Sequence, residues 1–221
     1  MVAQRLSLVV PALNEAGGIV AALRALAPLR ARGHEVIVVD GGSSDGTADL
    51  ARPHCDRMIV SARGRAIQMN AGALAANGDV LVFLHADTRL PAGAEEMLLE
   101  KPFLWGRFDV AIEGRSRLLK LVAWSMNLRS RLTGIATGDQ AIFVRREAFG
   151  GFPEIPLMED IAFSRAMKRR AAPACLRAKV VTSGRRWESR GVVRTIVLMW
   201  RLRLAYFLGA RPEDLAKLYQ R

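Results

Sequence analysis

The sequence predicts an α/β protein in which a mainly parallel β-sheet lies between two layers of helices. Its first ninety residues alternate between short runs of apolar, β-branched residues and longer stretches in which apolar residues recur with helical spacing. Strands separated by helices need crossover connections, which place helices on both faces of a parallel sheet. The chain has 221 residues and is 51% hydrophobic, which favours one domain with a substantial core.

Four strands are predicted in the N-terminal part, each followed by a polar or glycine-containing segment. Ile19, Leu23 and Leu26 share one face of a helix that should end near Gly33, and a short helix should begin at about Thr47. The predicted strands are Leu6–Val10, Glu35–Val39, Arg57–Val60 and Val80–Leu84, and an alanine-rich helix should cover Arg65–Ala76.

Beyond Pro91 the alternation is less regular, but the same criteria still predict elements. The last forty residues should form a pair of helices broken at Gly209–Pro212. The other predicted elements are strands at Phe103–Ile112, Ala141–Val144 and Cys175–Val181 and helices at Leu118–Leu132 and Glu159–Arg170.

Polar residues follow three of the predicted strands, which would place them at one edge of a parallel sheet. Asp45 and Thr47 could simply cap the next helix. Asp40 and Asp87 are harder to explain in this way, because a carboxylate directly after a buried strand costs free energy unless it is paired or binds a ligand. These two carboxylates therefore predict a binding site.

Two common nucleotide-binding classes are excluded by their missing motifs. Asp40 could accept hydrogen bonds from a nucleobase or a ribose, as an acid after a second strand does in dinucleotide-binding sheets. The first strand is not followed by G-x-G-x-x-G, which argues against a dehydrogenase, and the chain contains no G-x-x-x-x-G-K-[ST] loop of a P-loop NTPase.

The net charge of +12 lies entirely in the C-terminal quarter. Residues 1–160 hold 18 basic and 18 acidic side chains, whereas residues 161–221 hold 15 basic and 3 acidic ones. Such a segment could attract nucleic acid, an anionic membrane or a polyphosphate substrate. Within residues 190–208 an apolar helical face lies beside an arginine stripe: the apolar face contains Val197, Trp200, Leu204 and Phe207, and the stripe contains Arg190, Arg194 and Arg201.

Three partners remain open for this basic tail: an anionic membrane surface, a second subunit and the domain itself. The sequence shows no run of about 20 apolar residues and no secretory signal, so we expect a cytoplasmic location, including the inner face of the cell membrane. Cys55 and Cys175 fit no metal-binding spacing and are interpreted as reduced packing residues.

Several motifs in order resemble family 2 glycosyltransferases with the GT-A fold. The resemblance spans roughly residues 6–170 and is strongest to short bacterial forms of unassigned acceptor, of the type associated with radical-SAM or arsenosugar gene groups. The motifs are Val-Val-Pro-Ala-Leu-Asn-Glu at 9–15, Val-Ile-Val-Val-Asp-Gly-Gly-Ser-Ser-Asp-Gly-Thr at 36–47, Asn-Ala-Gly at 70–72, Gly-Asp at 78–79, Phe-Leu-His-Ala-Asp-Thr at 83–88, Gly-Asp-Gln at 138–140 and Met-Glu-Asp at 158–160.

The resemblance implies a domain at residues 1–185, with a nucleotide-binding half at 1–90 and an acceptor half at 91–185, followed by a basic helical tail at 186–221. The implied donor is a nucleoside diphosphate sugar. In this interpretation Asp40 accepts a hydrogen bond from the nucleobase, and Arg65 lies near the nucleotide or its phosphates. The implied nucleotide-binding residues are Pro11, Ala12, Glu15, Asp40, Gly42, Arg65 and Ala86.

The resemblance also implies a divalent cation, Mn²⁺ or Mg²⁺, held by Asp87 and bridging the diphosphate. Hard cations of this kind are usually shared between one or two carboxylates and the phosphates. The family's motif is usually Asp-x-Asp, and its first position here is His85. His85 is therefore either a metal ligand, a neighbour of the ligand or a core histidine, and we favour one of the last two.

Asp160, with Glu159 beside it, is the candidate general base for an inverting transfer to a hydroxyl acceptor that the sequence does not identify. In a single displacement the base must lie across the anomeric carbon from the leaving group. The alternative is that this acidic pair only favours the N-terminus of the next helix through its dipole. Arg185-Arg186-Trp187 resembles an Arg-Trp element of processive members that could touch the pyrophosphate.

Two other classes of function stay open. A sugar-nucleotidyltransferase would share the sheet and a metal-binding Asp, but should have a glycine-rich phosphate loop after its first strand, where this chain has Pro11–Glu15. A nucleic-acid-binding module would explain the tail, yet aromatic residues make up only 6% of the chain and no recognised motif accompanies the arginines. No nucleic-acid partner is therefore expected.

Overall fold

A computed structural model of the chain describes residues 4–220. Eight strands form one mixed sheet in the order β3-β2-β1-β4-β7-β6-β8-β5. Strands β1 to β4 are mutually parallel, β6 is parallel to β8, and β7 runs antiparallel to both of its neighbours. The strands are β1 Leu6–Ala12, β2 Glu35–Asp40, β3 Arg57–Val60, β4 Val80–Phe83, β5 Thr88–Arg89, β6 Trp105–Glu113, β7 Phe143–Arg145 and β8 Ala174–Ser183.

The helices connect the strands as predicted, with three additions and one correction. The predicted single helix before Gly33 is wrong: α1 ends at Ala25 and a second helix begins at Ala27, because Pro28 lacks an amide hydrogen and suits the first turn of a new helix. β5, α5 and α8 were not predicted. The helices are α1 Ile19–Ala25, α2 Ala27–Ala31, α3 Thr47–Ala51, α4 Arg65–Ala75, α5 Ala94–Leu99, α6 Leu118–Thr133, α7 Glu159–Lys168, α8 Arg185–Arg190, α9 Val192–Phe207 and α10 Pro212–Gln220.

Two apolar clusters cover the two faces of the sheet, which confirms the three-layer prediction. Leu8 and Val10 of β1 face the cluster formed with α1, α2, α5 and α6, whereas Val9 faces the cluster formed with α4 and α7. This alternation follows from the period of two along a strand. Cys55 and Cys175 are both free thiols, and Cys55 is buried in the first cluster.

The inner side of the C-terminal tail packs on the domain. Leu202 of α9 and Leu215 of α10 are buried in a third cluster with Ile135, Met158 and Ile161. The outer side of α9 leaves its apolar residues exposed. The tail is therefore attached to the domain through one face and open on the other. No helix within residues 4–220 is both long and apolar enough to cross a membrane.

Candidate active site

The loops after β1 and β2 are tied together at the carboxyl edge of the sheet. The Asn14 amide donates to Ser43 Oγ at 2.9 Å, and the Ala16 amide donates to Asp45 Oδ2 at 3.0 Å. The Glu15 amide donates to Thr47 Oγ1 at 2.8 Å. Asp45 does more than cap α3: its Oδ1 accepts a hydrogen bond from the Thr47 amide at 3.0 Å, while its Oδ2 and the Thr47 hydroxyl also tie the two loops together.

Asp40 lies at the end of β2 with one oxygen satisfied and the other free. Its Oδ2 accepts hydrogen bonds from the amides of Gly42 and Ser43 at 3.0 and 2.9 Å. Gly42 has a φ of +85°, a conformation that favours glycine. Asp40 Oδ1 is buried and has no hydrogen-bond partner among the described residues. A buried acceptor without a partner is costly, so this oxygen is a candidate ligand-binding atom.

Gln68, which the sequence analysis missed, fixes the ends of β1 and β2. Its Nε2 donates to the carbonyls of Ala12 at 2.8 Å and Val39 at 2.9 Å. Gly41 leaves room for this amide, because a Cβ there would lie 2.9 Å from Cδ of Gln68. The available signal was a polar residue within an alanine-rich, otherwise apolar helix face.

Arg65 begins α4 and reaches across to the acidic pair. Its Nη1 lies 3.2 Å from Oε1 of Glu159, which is buried. Burial raises the pKa of Glu159, the neighbouring charge of Asp160 raises it further, and the charge of Arg65 only partly opposes both. Burial alone would lower the pKa of Arg65, but the charges of Glu159, Asp160 and Asp139 raise it overall.

The reversed direction of β7 brings the Gly-Asp-Gln turn to the same edge. Because β7 is antiparallel to β4, the residues that precede β7 lie beside the end of β4. Asp139 Oδ1 lies 3.3 Å from Nδ1 of His85. Burial raises the pKa of Asp139. The opposing effects are larger and lower this pKa to about 2: they are the hydrogen bond and charge of His85 and the charges of Arg65 and Arg186.

His85 is enclosed by this turn. A Cβ on Gly138 would lie 2.5 Å from His85 Nε2, so only glycine lets the turn approach the imidazole this closely. Nε2 is buried without a hydrogen-bond partner among residues 4–220. His85 thus lies beside the predicted metal-binding residue and contacts Asp139.

Asp160 is fixed at the start of α7. Its Oδ2 accepts from the Gly138 amide at 3.1 Å, and its Oδ1 accepts from the Ile161 amide at 2.7 Å. Met158, directly before α7, has a φ of 71°, a left-handed conformation that is strained for a residue with a side chain. The turn at Gly138 therefore links Asp160 to the end of β4.

Asp87 offers a carboxylate with few protein contacts. Its Oδ1 lies 3.4 Å from the hydroxyl oxygens of Thr88 and Thr182. Ala86 beside it is buried. No three His, Cys, Asp or Glu side chains gather as a metal site within residues 4–220. This donor set fits a hard cation that takes most of its ligands from a phosphorylated substrate and water.

Helix α8, at the junction of the domain and the tail, reaches the loop after β1. Arg185 Nη2 lies 2.9 Å from Glu15 Oε2, and Arg186 is close enough to influence Asp139. Trp187 packs against the main core cluster instead. An open cleft of about 770 Å³ is lined in part by Arg185 and Glu113, and none of the candidate aspartates lines it.

Comparison with protein families finds a match to the family described as Glycosyl transferase family 2 over residues 7–115. An uncharacterized glycosyltransferase of Mycobacterium tuberculosis is 33% identical over 94 residues, which are 42% of this chain and 41% of the relative. A PGL/p-HBAD biosynthesis glycosyltransferase of Mycobacterium bovis is 36% identical over 97 residues, covering 41% of this chain and 38% of the relative. The match thus spans about two fifths of each curated relative.

Solved structures with the same fold cover more of the chain. Glucosyl-3-phosphoglycerate synthase from Mycobacterium tuberculosis, in complex with Mn²⁺, UDP and glucosyl-3-phosphoglycerate, aligns with a TM-score of 0.60 at 20% identity over 80% of this chain and 70% of that one. Mannosyl-3-phosphoglycerate synthase from Rubrobacter xylanophilus aligns with a TM-score of 0.60 at 22% identity over 94% and 76%. At such identity the likeness shows the fold, which confirms the predicted architecture.

Proposed function

Because the chain contains a glycosyl transferase family 2 domain, we propose that it transfers a sugar from a nucleoside diphosphate sugar to a hydroxyl acceptor with inversion. The observation that carries this proposal is that Asp40 ends β2, Asp87 follows β4, and Asp160, in the first turn of α7, is linked to the segment after β4 through Gly138 and His85. Donor binding and proton removal are thereby assigned to different carboxylates.

Donor binding is assigned to the loops after β1 and β2. The unpartnered Oδ1 of Asp40 accepts a hydrogen bond from the nucleobase, and Pro11 and Ala12 form the pocket beside it. Gln68 keeps the two strand ends at a fixed separation. Arg65 supplies positive charge toward the phosphates while Glu159 orients it, so Glu159 is a positioning residue.

Asp87 is the residue that would hold a divalent cation, Mn²⁺ or Mg²⁺. When bound, such a cation neutralises the charge that develops on the leaving nucleoside diphosphate. The absence of a three-residue protein site within residues 4–220 agrees with this assignment, because a cation shared with a diphosphate needs few protein ligands.

Asp160 is the general base. Two backbone amides fix its carboxylate, and it is only partly buried, so it can accept a proton from an acceptor hydroxyl. It belongs to a different segment from Asp87, as the geometry of a single displacement requires. The helix-terminus alternative explains its contact with Ile161 and leaves its contact with Gly138 unexplained.

The exposed side of α9 is proposed to lie on an anionic membrane from the cytoplasmic side. Trp200 of α9 is 71% exposed and Trp124 of α6, a helix in contact with α9, is 61% exposed. The exposed side chains of Arg194 and Arg201 supply the complementary charge. Flotation with phosphatidylcholine vesicles should be weak, and adding phosphatidylglycerol should strengthen it in low salt. A concentration-dependent dimer without vesicle binding would instead assign this face to a second subunit.

The donor is testable by thermal unfolding with UDP-, GDP- and dTDP-sugars, each with and without Mn²⁺. A ligand at a hundred times its Kd stabilises the folded state by about 2.7 kcal/mol. One nucleotide should stabilise the protein far more in the presence of Mn²⁺. The absence of any nucleotide effect would contradict the proposal.

Asp87→Asn and Asp160→Asn separate the two roles. Asp87→Asn should remove the Mn²⁺-dependent part of donor binding, because a neutral amide oxygen binds a divalent cation more weakly than a carboxylate does. Asp160→Asn should leave donor affinity nearly intact and reduce transfer about 10²- to 10⁴-fold, the usual contribution of a general base. Asp49→Asn, at an exposed position of α3, is the matched control and should change neither. Equal loss of donor binding in both variants would refute the division.

A further inference from the structure

Two arginines meet near Asp160 without partners. Arg129 lies on α6 and Arg203 on α9. The Nε and Nη2 atoms of Arg129 and the Nε atom of Arg203 are buried, and none of them donates a hydrogen bond within residues 4–220. Buried guanidinium nitrogens without acceptors are rare, because their lost hydration is not replaced.

The fully buried arginine of the acceptor half, Arg107, is satisfied. Arg107 pairs with Asp109 and donates to Ser130 Oγ at 3.0 Å, and Arg131 also pairs with Asp109 at 2.6 Å. Among the described arginines, only Arg129 on α6 and Arg203 on α9 have buried nitrogens that lack an acceptor.

The two arginines place positive charge close to each other and to Asp160. Burial, together with the charge of Arg203, lowers the pKa of Arg129 to about 10, so it stays protonated at neutral pH. Burial also lowers the pKa of Arg203, while Asp160 is close enough to oppose the decrease for both. The two oxygens of Asp160 already accept backbone amides and bond to neither arginine.

We propose that Arg129 and Arg203 bind a phosphate group carried by the acceptor, which positions the acceptor hydroxyl at Asp160. A guanidinium presents a planar fork of donors that matches phosphate oxygens, and two such forks suit a dianionic group. This inference rests on the proposed glycosyl transfer. The phosphate belongs either to a soluble phosphorylated molecule or to a lipid headgroup, and the basic tail contributes directly to the acceptor site through Arg203.

The soluble source is tested by calorimetric titration with glycerol 3-phosphate and with inorganic phosphate. Arg129→Gln and Arg203→Gln should each weaken binding at least tenfold. Arg201→Gln is the matched control, since Arg201 is exposed on the same helix and should leave this affinity unchanged.

The lipid source is tested with phosphatidylcholine vesicles that contain dodecyl phosphate, compared with vesicles of equal charge that contain phosphatidylglycerol. The difference in affinity between the two vesicles measures recognition of the phosphate monoester. Arg129→Gln and Arg203→Gln should abolish that difference, whereas Arg201→Gln should weaken binding to both vesicles alike.

Donor binding with Mn²⁺, measured in every variant, keeps the outcomes separate. The inference is supported if Arg129→Gln and Arg203→Gln lose phosphate recognition while their donor binding is unchanged. Whether the loss occurs with the soluble phosphates or with the vesicles identifies the source of the phosphate. The inference would be overturned if the protein recognised phosphate neither in the calorimetric titration nor in the vesicle assay. It would also be overturned if Arg201→Gln reduced phosphate recognition as much as Arg129→Gln and Arg203→Gln do. Intact phosphate recognition in a protein that binds no nucleotide sugar would instead refute the proposed function.

Discussion

Arginine side chains on the two sides of α6 differ in whether their buried nitrogens have hydrogen-bond acceptors. On one side, Asn127, Ser130 and Arg131 complete a hydrogen-bonded network around the fully buried Arg107. On the other side, the buried Nε and Nη2 atoms of Arg129 have no hydrogen-bond acceptor among the described residues. α6 therefore contributes to a hydrogen-bonded arginine network on one side and carries an arginine with unpartnered buried nitrogens on the other.

The same contrast separates two carboxylates of β2. Glu35 at its beginning accepts hydrogen bonds from Ser7 Oγ and from the amides of Asn77 and Gly78. Asp40 at its end leaves one buried oxygen without a partner. A satisfied buried charge indicates a structural role, whereas an unsatisfied one indicates a place where a ligand completes the bonding.

The largest expected effect is at Arg107. Arg107→Met should lower the free energy of unfolding by about 3–5 kcal/mol, because it leaves Asp109 short of its partner in a buried site. Urea denaturation followed by circular dichroism measures the change. A loss below about 1 kcal/mol, the range for exposed ion pairs, would contradict the stabilising role assigned to this network.

A smaller loss is expected at Glu35. Glu35→Gln should cost about 1.5–3 kcal/mol at neutral pH, the range for hydrogen bonds to a charged group. Burial raises the pKa of Glu35, but its hydrogen bonds with Ser7, Asn77 and Gly78 and the charge of Arg57 lower it overall. The wild-type advantage should therefore be complete above pH 4.5, the ordinary value, and disappear as the pH falls through the lowered pKa. Unfolding curves of both proteins across this pH range test it, and an advantage that persists in strong acid would contradict it.

Asp40→Asn should affect binding and leave the fold intact. The asparagine oxygen can still accept the amides of Gly42 and Ser43, while its NH₂ replaces the unpartnered oxygen. Donor nucleotide affinity should fall about tenfold or more, equivalent to about 1.4 kcal/mol, with thermal stability unchanged. Calorimetry with the nucleotide selected by the thermal screen measures this affinity. If Asp40→Asn lowered stability without weakening nucleotide binding, Asp40 would have a structural role instead.

Arg129→Met should have the smallest effect and the opposite sign. Replacing an unpaired buried charge by an apolar side chain should stabilise the fold by roughly 1 kcal/mol, because no hydrogen bonds are lost. The midpoint of urea denaturation should rise, while transfer to a phosphorylated acceptor should fall. Destabilisation comparable to that of Arg107→Met would remove the distinction between the two sides of α6.

Local patterns predicted most of the fold because apolar periodicity and strand-end polar residues are visible along the chain. The break at Pro28, the two-residue β5 and the short helices α5 and α8 were missed, since each is shorter than the pattern that would reveal it. The strand boundaries at β6, β7 and β8 shifted by one or two residues, and Ala141, with a φ of 45°, delays the start of β7.

Site residues were predictable where a motif carried them. Asp40, Asp87 and Asp160 could be selected from the sequence, and their roles stay proposals. Gln68 and the pairing of Asp139 with His85 depend on contacts between distant segments. Arg129 and Arg203 were invisible for the same reason, because a count of basic residues cannot distinguish a solvated arginine from one that two helices enclose.

The uneven exposure of tryptophan gives the chain an optical reporter. Trp105 is fully buried and its indole nitrogen donates to the Ala171 carbonyl at 2.9 Å, so its emission has little reason to change. Trp124 and Trp200 face solvent, and covering them would shift their emission to shorter wavelengths. Quenching by a water-soluble agent can therefore follow, without any label, whether the outer surface is wet or occupied.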